Sequence, residues 1–244
     1  MVAKRRLIDL VLDRDLSIDR DQARRLILTG SVQVNGHTMV QPAAYVGVDV
    51  EVRLKNSETS VSRAGQKLSF ALSQWNIPVE EKIAADVGAA AGGFTEGLLR
   101  HGARRVYAIE TGKGQLAWKI RQDKRVVVME ETNILQLHTL PDPIDLATID
   151  VSWTPLRQAL PALAPLLGEP STVIALLKPN YELQNPGQLV NGVLVDPQIR
   201  TQVIQNFMSW AENHDWQVLD ETRSPVTGDR GNVEWLFHLR YNVK

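Results

Sequence analysis

Apolar residues recur at helical spacing over Leu7–Leu12 and again over Asp19–Thr29, and a short alternating run, Val32–Val34, then meets Asn35 and Gly36. Apolar positions three and four apart put one stripe of a helix against a core, and an Asn-Gly pair after an alternating run marks a two-residue hairpin turn. Residues 1–55 therefore read as a helix-helix-hairpin module, with Ser17 placed to cap the second helix. The polar run Lys55–Ser60 has no period, so residues 56–62 are expected to be a linker.

A further apolar-periodic helix, Lys67–Trp75, precedes a change of rhythm. From Ile83 onward, short apolar runs alternate with helical segments. Strands are predicted at Ile83–Val87, Arg105–Ile109, Val126–Met129, Leu146–Ile149 and Thr172–Leu177, and helices at Phe94–Arg100, Gln115–Arg121, Pro155–Leu166 and Pro197–Asn213. That alternation predicts a mostly parallel sheet covered by helices. The last two runs, Trp216–Thr222 and Asn232–Leu239, have no helix between them and predict an antiparallel hairpin at one side of the sheet. The expected fold class is α/β over residues 63–244, preceded by a small α+β domain.

Glycines punctuate the first strand-to-helix junction, where open α/β sheets bind ligands. Gly88 suits a tight turn, and Gly92 and Gly93, with Asp86 before them and Phe94 after, suit close approach of backbone to a ligand. The spacing matches neither the dinucleotide fingerprint nor a P-loop, because no Gly-Lys-Ser/Thr follows. Glu110 ends the second strand 22 positions after Gly88, close to the roughly 20 expected of a carboxylate that holds ribose hydroxyls. Together these features suit S-adenosylmethionine, with adenosine held by Glu110 and the methionine carboxylate at loop amides. Asn133 is a candidate for adenine contact, and equally a turn-forming asparagine.

Four charged residues follow the same logic. Asp150 ends the fourth strand and Lys178 the fifth, so both project from the carboxyl edge of the sheet. Singly, Asp150 also reads as a helix cap, Lys178 as a solvated side chain and Lys67 as a surface lysine. Glu234 lies in an apolar run read as a covered strand, and a buried carboxylate needs a cation nearby. If the four converge, Lys178 can take the proton from a ribose 2′-hydroxyl as that oxygen attacks a sulfonium methyl group. A lysine has a reference pKa of about 10.4, and a second amine such as Lys67 would push it down. Asp150 and Glu234 would orient the amines and limit their repulsion.

Composition removes other chemistries. The chain has 244 residues and no cysteine, which excludes disulfides and thiolate sites and agrees with a reducing compartment, and its five histidines show no ligand spacing, so no metal is expected. No apolar stretch approaches the roughly 18 residues of a membrane span, and the basic start runs into Asp9, Asp13 and Asp15 instead of the apolar core of a secretory signal. A cytoplasmic protein is expected. Net charge is −1, yet residues 1–67 hold 11 Lys and Arg against 8 Asp and Glu, so the basic excess sits at the front.

The motifs, taken in order, resemble a known family. Residues 5–54 resemble a small RNA-binding domain shared with a ribosomal protein of the small subunit, through Arg20–Ile27 and Gly30–Gly36. Residues 62–240 resemble an FtsJ-type ribose methyltransferase, through Ser62–Leu68, Asp86–Thr95, Gly114–Trp118, Asp150–Ser152, Lys178–Pro179 and Gly231–Glu234. The combination is similar to the TlyA family of ribosomal RNA 2′-O-methyltransferases. The resemblance implies a Rossmann-like S-adenosylmethionine-dependent sheet, a catalytic tetrad of Lys67, Asp150, Lys178 and Glu234, and a cytidine ribose of ribosomal RNA as target. Ala90 and Ala91 stand where small hydroxyl residues are expected and Glu110 where aspartate is usual, which bears on cofactor affinity; Trp153 and Asn180 replace Phe and Gln beside the tetrad.

Ribosomal RNA in ribosomal subunits is the expected partner, with a monomer as the expected state. Lys4, Arg5, Arg6, Arg14, Arg20, Arg24 and Arg25 are candidates for phosphate contacts, as is Arg63 at the start of the second domain. Two alternatives differ in class. An RNA-binding assembly factor without chemistry would bind no cofactor, which calorimetry tests. A membrane-lytic haemolysin, the label some relatives carry, lacks the long apolar or basic amphipathic segment it would need.

Overall fold

The computed structural model describes residues 3–14, 20–28, 30, 32–54, 63–183 and 185–242. Ser17, the linker 56–62 and the side chains of Arg14 and Arg25 lie outside them. The chain divides into two compact units, Met1–Ser60 and Val61–Lys244.

In the first unit, β1 (Lys4–Arg6) leads into α1 (Leu7–Arg14) and α2 (Arg20–Leu28), followed by β2 (Val32–Val34), β3 (His37–Met39), β4 (Tyr45–Gly47) and β5 (Val52–Leu54). Leu7, Ile8, Leu10, Val11, Ala23 and Ile27 bury the apolar stripes of the two helices, and Val32 and Val34 bury one face of β2. The turn at Asn35 and Gly36 has φ of 50° and 80°, the twist that a two-residue hairpin demands, and β2 pairs antiparallel with β3 across it. Strands β1, β4 and β5 left no signal in the sequence, having no alternating apolar pair followed by a turn as β2 has; they exist through pairing of β1 with β4 and of β5 with β2.

The second unit runs α3 (Arg63–Gln74), β6 (Ile83–Val87), α4 (Gly93–Arg100), β7 (Arg105–Ile109), α5 (Trp118–Arg121), β8 (Val126–Met129), β9 (Ile144–Ile149), α6 (Leu156–Leu163), β10 (Leu167–Leu177), α7 (Pro179–Glu182), α8 (Pro197–Glu212), β11 (Trp216–Arg223) and β12 (Trp235–Tyr241). Its seven strands lie in the order β11-β12-β10-β9-β6-β7-β8. The five from β6 to β10 are parallel and β12 pairs antiparallel with both β10 and β11, so the expected terminal hairpin forms one edge. Every residue of β6 is buried, as a central parallel strand covered on both faces requires. One layer packs α6 and α8 on Val87, Ile109, Ile149 and Ala175, and the other packs α3 and α4 on Ala84, Ala108, Ile174 and Leu236.

The order places a topological switch between β6 and β9. From β6 the chain steps outward to β7 and β8, then returns to β9 on the opposite side of β6. The helices that would flank this gap leave in opposite directions, so a crevice opens beyond the carboxyl ends of β6 and β9.

Two boundaries moved for identifiable reasons, and a third held. α5 begins at Trp118 instead of Gln115, because the backbone amides of Gly114, Gln115 and Leu116 all donate to the Glu130 carboxylate and hold that segment out of the helix. β12 begins at Trp235 instead of Asn232, since the Asn232 side chain is committed to Gly192 and Leu194. α8 starts where Pro197 predicts it, with Asp196 capping the amides of Gln198 and Ile199.

Candidate active site

Sheet register brings the charged residues together. Leu177 pairs with Trp235 across β10 and β12, so one step further Lys178 lies opposite Glu234. Asp150 leaves the end of β9, which runs parallel beside β10, and its backbone amide donates to the Val87 carbonyl at the end of β6. Glu234 therefore precedes β12 by one residue, which corrects the expectation that it lies within a strand. Lys67 is in the second turn of α3 and not at its start, and it enters from the helix layer.

Two ion pairs result. Lys67 Nζ is 2.5 Å from Glu234 Oε2, with side chains only 8% and 4% exposed, and Lys178 Nζ is 2.7 Å from Asp150 Oδ1 at the cavity wall. Neither of those carboxylate oxygens has an aligned hydrogen-bond donor, so the contacts are charge pairs by distance. Lys178 also donates to Ser152 Oγ at 3.1 Å. Burial pushes the Glu234 carboxyl above its ordinary value; the charges of Lys67 and then Lys178 oppose this, and Asp150 adds to it. All three partners thus act on one carboxyl group.

The switch crevice holds a cavity of about 310 Å³ lined by Gly88, Ala90, Glu110, Gln115, Asn133, Asp150, Ser152, Trp153 and others. Gly88 has φ of 86°, and a Cβ there would come within 2.5 Å of the Asp150 carbonyl oxygen, so the turn can hug the end of β9 only as glycine. Gly92 caps α4, and a Cβ on it would stand 2.9 Å from Leu116. Its role in this structure is close approach of the start of α4 to Leu116 and to Ile120 of α5, and Gly93 begins the first turn behind it.

Glu110 spans the mouth of this cavity. Its carboxylate accepts from the amides of Ala90 (2.9 Å) and Gly112 (2.7 Å) and from the Thr111 hydroxyl (3.2 Å). A carboxylate offers about four acceptor positions, so Glu110 ties two loops together and retains one for a ligand. Asn133 lines the cavity while its side chain accepts from Leu135 N, which makes it a turn former as well. Glu130 was missed from the sequence, although it follows the third strand much as Glu110 follows the second. Burial alone would raise its pKa, but the Arg121 guanidinium and the amides of Gly114 and Leu116 hold it down at about 2.

Asp86 and Phe94 take other places than the cavity wall. Phe94 is buried in the α3–α4 layer. Asp86 is fully buried and accepts from the hydroxyls of Thr95 (2.6 Å) and Thr148 (3.1 Å). Burial raises its pKa from 3.8 to about 6, against the two threonines. A raised carboxyl stabilises the fold fully below pH 3.8, and that contribution is lost as pH rises through about 6. Asp86→Asn is therefore expected to raise stability at pH 7.5 by about 1–2 kcal/mol and to flatten its pH dependence between 4 and 7. Denaturant melts at several pH values check this; a variant less stable than wild type at pH 7.5 contradicts it.

A second cavity, about 570 Å³, opens on the other side of Ser152 and Trp153 and is lined by Lys178, Asn180, Tyr181, Asp229, Arg230, Asn232 and Glu234, among others. Trp153 belongs to both cavity walls, is 82% exposed, has φ of 69° and tilts against Tyr181 with ring centroids 5.3 Å apart. A tryptophan in the left-handed region carries a backbone cost, and here its ring stays largely in solvent beside Tyr181.

The remaining cations divide. Arg63 donates to the carbonyls of Thr227 and Gly228, clamping the loop that leads to Glu234. Arg63→Ala is expected to cost about 1 kcal/mol and to speed hydrogen exchange at Gly228 and Asn232; unchanged exchange there would refute the clamp. In the first unit, Arg5 pairs with Asp13, Arg20 with Asp9 at 3.1 Å, and Arg6 donates to the Tyr45 hydroxyl. Lys4 lies on the exposed strand β1, and Arg24 shares a shallow hollow with Arg6 and Arg20. Among the described residues no cluster of three His, Cys, Asp or Glu could hold a metal, and no helix is long and apolar enough to cross a membrane.

Residues 60–241 match the model of the FtsJ-like methyltransferase family. The chain is 36% identical over 244 residues to the 16S/23S rRNA (cytidine-2′-O)-methyltransferase TlyA of Mycobacterium tuberculosis, covering 98% of this chain and 91% of that one. A structure solved for a hemolysin candidate from Streptococcus thermophilus superposes with a TM-score of 0.73 at 35% identity, over 99% of this chain and 90% of that chain. A SAM-dependent methyltransferase from Aquifex aeolicus shares the fold, with a TM-score of 0.52 at 15% identity over 74% and 93% of the two chains.

Proposed function

The chain belongs to the FtsJ-like methyltransferase family, and from that premise we propose that it methylates the 2′-hydroxyl of a cytidine ribose in ribosomal RNA, with S-adenosylmethionine as methyl donor and assembled ribosomal subunits as substrate. The observation that carries the reading is the Lys178–Asp150 pair bridging two cavities, Asp150 lining the first and Lys178 and Glu234 the second, with Lys67 paired to Glu234. A methyl donor and an RNA nucleotide need separate chambers that meet at the reacting atoms, and the Ser152–Trp153 segment divides two such chambers.

The first cavity fits the donor. Gly88 leaves a cradle that any Cβ would fill, Glu110 keeps an acceptor position for a ribose hydroxyl, and Asn133 and Gln115 edge the same space. Bound there, S-adenosylmethionine would supply an electrophilic methyl group on a cationic sulfur and leave as a neutral thioether. Lys178, once neutral, accepts the proton of the 2′-hydroxyl while the oxygen forms its bond to the methyl carbon. Asp150 holds the lysine and stabilises the ammonium that results. Lys67 and Glu234, almost wholly buried, keep the local charge balanced. Positioning supplies much of the rate, up to roughly 7–11 kcal/mol for well-held reactants.

The second cavity fits the nucleotide. Trp153 and Tyr181 offer stacking surfaces, worth about 1–3 kcal/mol per base, for a nucleoside turned out of its helix toward Lys178. Residues 1–55 would serve as the RNA-docking domain, with Arg6, Arg20 and Arg24 as phosphate contacts and Arg14 and Arg25 beside them in sequence. A monomeric, cytoplasmic enzyme fits this role.

The test offers radiolabelled S-adenosylmethionine to separated, unmethylated ribosomal subunits and maps the label by resistance to alkaline hydrolysis. The expected product is one ribose-methylated cytidine per target site. Label on a base, or no transfer although calorimetry detects cofactor binding, would overturn the reading.

A further inference from the structure

We infer that Ser152 is a positioning residue that aims the Lys178 amine at the target hydroxyl. This rests on the ribose-methylation reading and adds to it a residue outside the four charged ones.

Among the described residues, Ser152 Oγ is the aligned hydrogen-bond acceptor of Lys178 Nζ, at 3.1 Å. Asp150 Oδ1 is nearer, at 2.7 Å, but it is not aligned as a hydrogen-bond acceptor. The two neighbours therefore do different things. Asp150 holds the ammonium by charge, which is strong but weakly directional. Ser152 sets direction, because a hydrogen bond constrains rotation about the Cε–Nζ bond.

A neutral amine carries two N–H bonds and one lone pair, and only the lone pair can take a proton. Left to rotate, it would face the target hydroxyl only part of the time. With one N–H committed to Ser152, rotation is restricted and the amine can hold its lone pair toward the larger cavity, which Lys178 and Glu234 both line. Ser152 is placed for this by its segment. It is the second residue after Asp150, lines both cavities and precedes Trp153 in its left-handed conformation, so the short segment that carries the stacking ring also carries the hydroxyl. Since Ser152 uses an oxygen lone pair on Lys178, its own proton stays available to a ligand. The proton path is unchanged: the 2′-hydroxyl loses its proton to Lys178, and Ser152 neither gains nor loses one overall.

Ser152→Ala and Ser152→Thr test the inference in the full-length protein. The alanine variant is expected to lower kcat about 10²-fold, with KM for RNA and Kd for S-adenosylmethionine within about twofold of wild type. The acidic limb of its kcat profile should move to lower pH, because the ammonium loses an acceptor. Threonine keeps the hydroxyl and should recover most of the rate. Wild-type kcat in the alanine variant, or a threonine variant as slow as alanine, would overturn the inference. An activity-free readout separates this from failure of the ribose-methylation reading: acetic anhydride labelling of Lys178 against pH, followed by mass spectrometry. The alanine variant should titrate at lower pH than wild type, and coincident curves overturn the contact. Absence of methyl transfer by wild type would overturn the methylation reading, while the labelling curves still decide on Ser152.

Discussion

Lys178→Ala is expected to lower kcat by roughly 10²–10⁴-fold, the range for removal of a general base, with S-adenosylmethionine affinity changed by no more than about threefold. The first cavity does not use the Lys178 side chain, so its ligand should bind as before. Lys178→Arg sharpens the result. Arginine preserves the charge beside Asp150 but cannot give up its proton at any working pH, so it should be as inactive as alanine while remaining as stable as wild type. Single-turnover assays with pre-bound cofactor measure the chemical step directly. An arginine variant with near wild-type turnover would show that Lys178 acts only as a cation, and the proton would need another acceptor.

Lys67→Met is expected to destabilise the fold by about 3–5 kcal/mol at pH 7.5, because it strands the Glu234 carboxylate in a site where 4% of the side chain is exposed. The pH dependence follows from the sign of the shift. Burial already lifts the Glu234 pKa above 4.5, with Lys67 the first of the groups opposing it, and removing Lys67 lifts it further. A raised carboxyl favours the fold fully below its unfolded value and loses that contribution as pH rises through the folded one. The deficit of the variant should therefore shrink toward pH 4.5 and be largest at neutral pH. Pairing Lys67→Met with Glu234→Leu should return much of the stability and none of the activity, since an apolar pair can replace a buried ion pair in packing but not in charge. Guanidinium melts at both pH values decide. A single variant as stable as wild type, with no pH dependence, would mean that water reaches Glu234 in the free protein.

Much of the second unit was legible because its strands are short apolar runs between turn signals. Ile83–Val87 and Arg105–Ile109 were placed to the residue, since such a run leaves little freedom in a covered parallel strand, and so was Val126–Met129, although it forms the partly exposed edge of the sheet. Errors collect where side chains beyond the local segment decide. Glu130 unwinds the first turn expected of α5, and Asn232 delays β12, and neither effect can be read within the window of residues concerned. The three short strands of the first unit failed for the same reason, since only their partners define them.

Candidate chemistry divides along the same line. Residue type and position made Glu234 a candidate that needs a cation, while Lys67, Asp150 and Lys178 read singly as ordinary residues and were grouped with it by the family resemblance. The order of residues could not say which acid partners which amine. That pairing comes from β12 inserting antiparallel beside β10, which sets Glu234 across from Lys178, and from α3 delivering Lys67 to Glu234 while β9 delivers Asp150 to Lys178. Tertiary structure likewise turned Asp86 and Phe94 into the core, turned Arg63 onto the 224–234 loop and exposed Trp153 between two cavities. Local periodicity determines which residues are buried and in what elements, because burial follows from side-chain chemistry repeated along the chain. Which charges meet is a matter of contacts between residues distant in sequence, and it is decided only when the sheet closes its register.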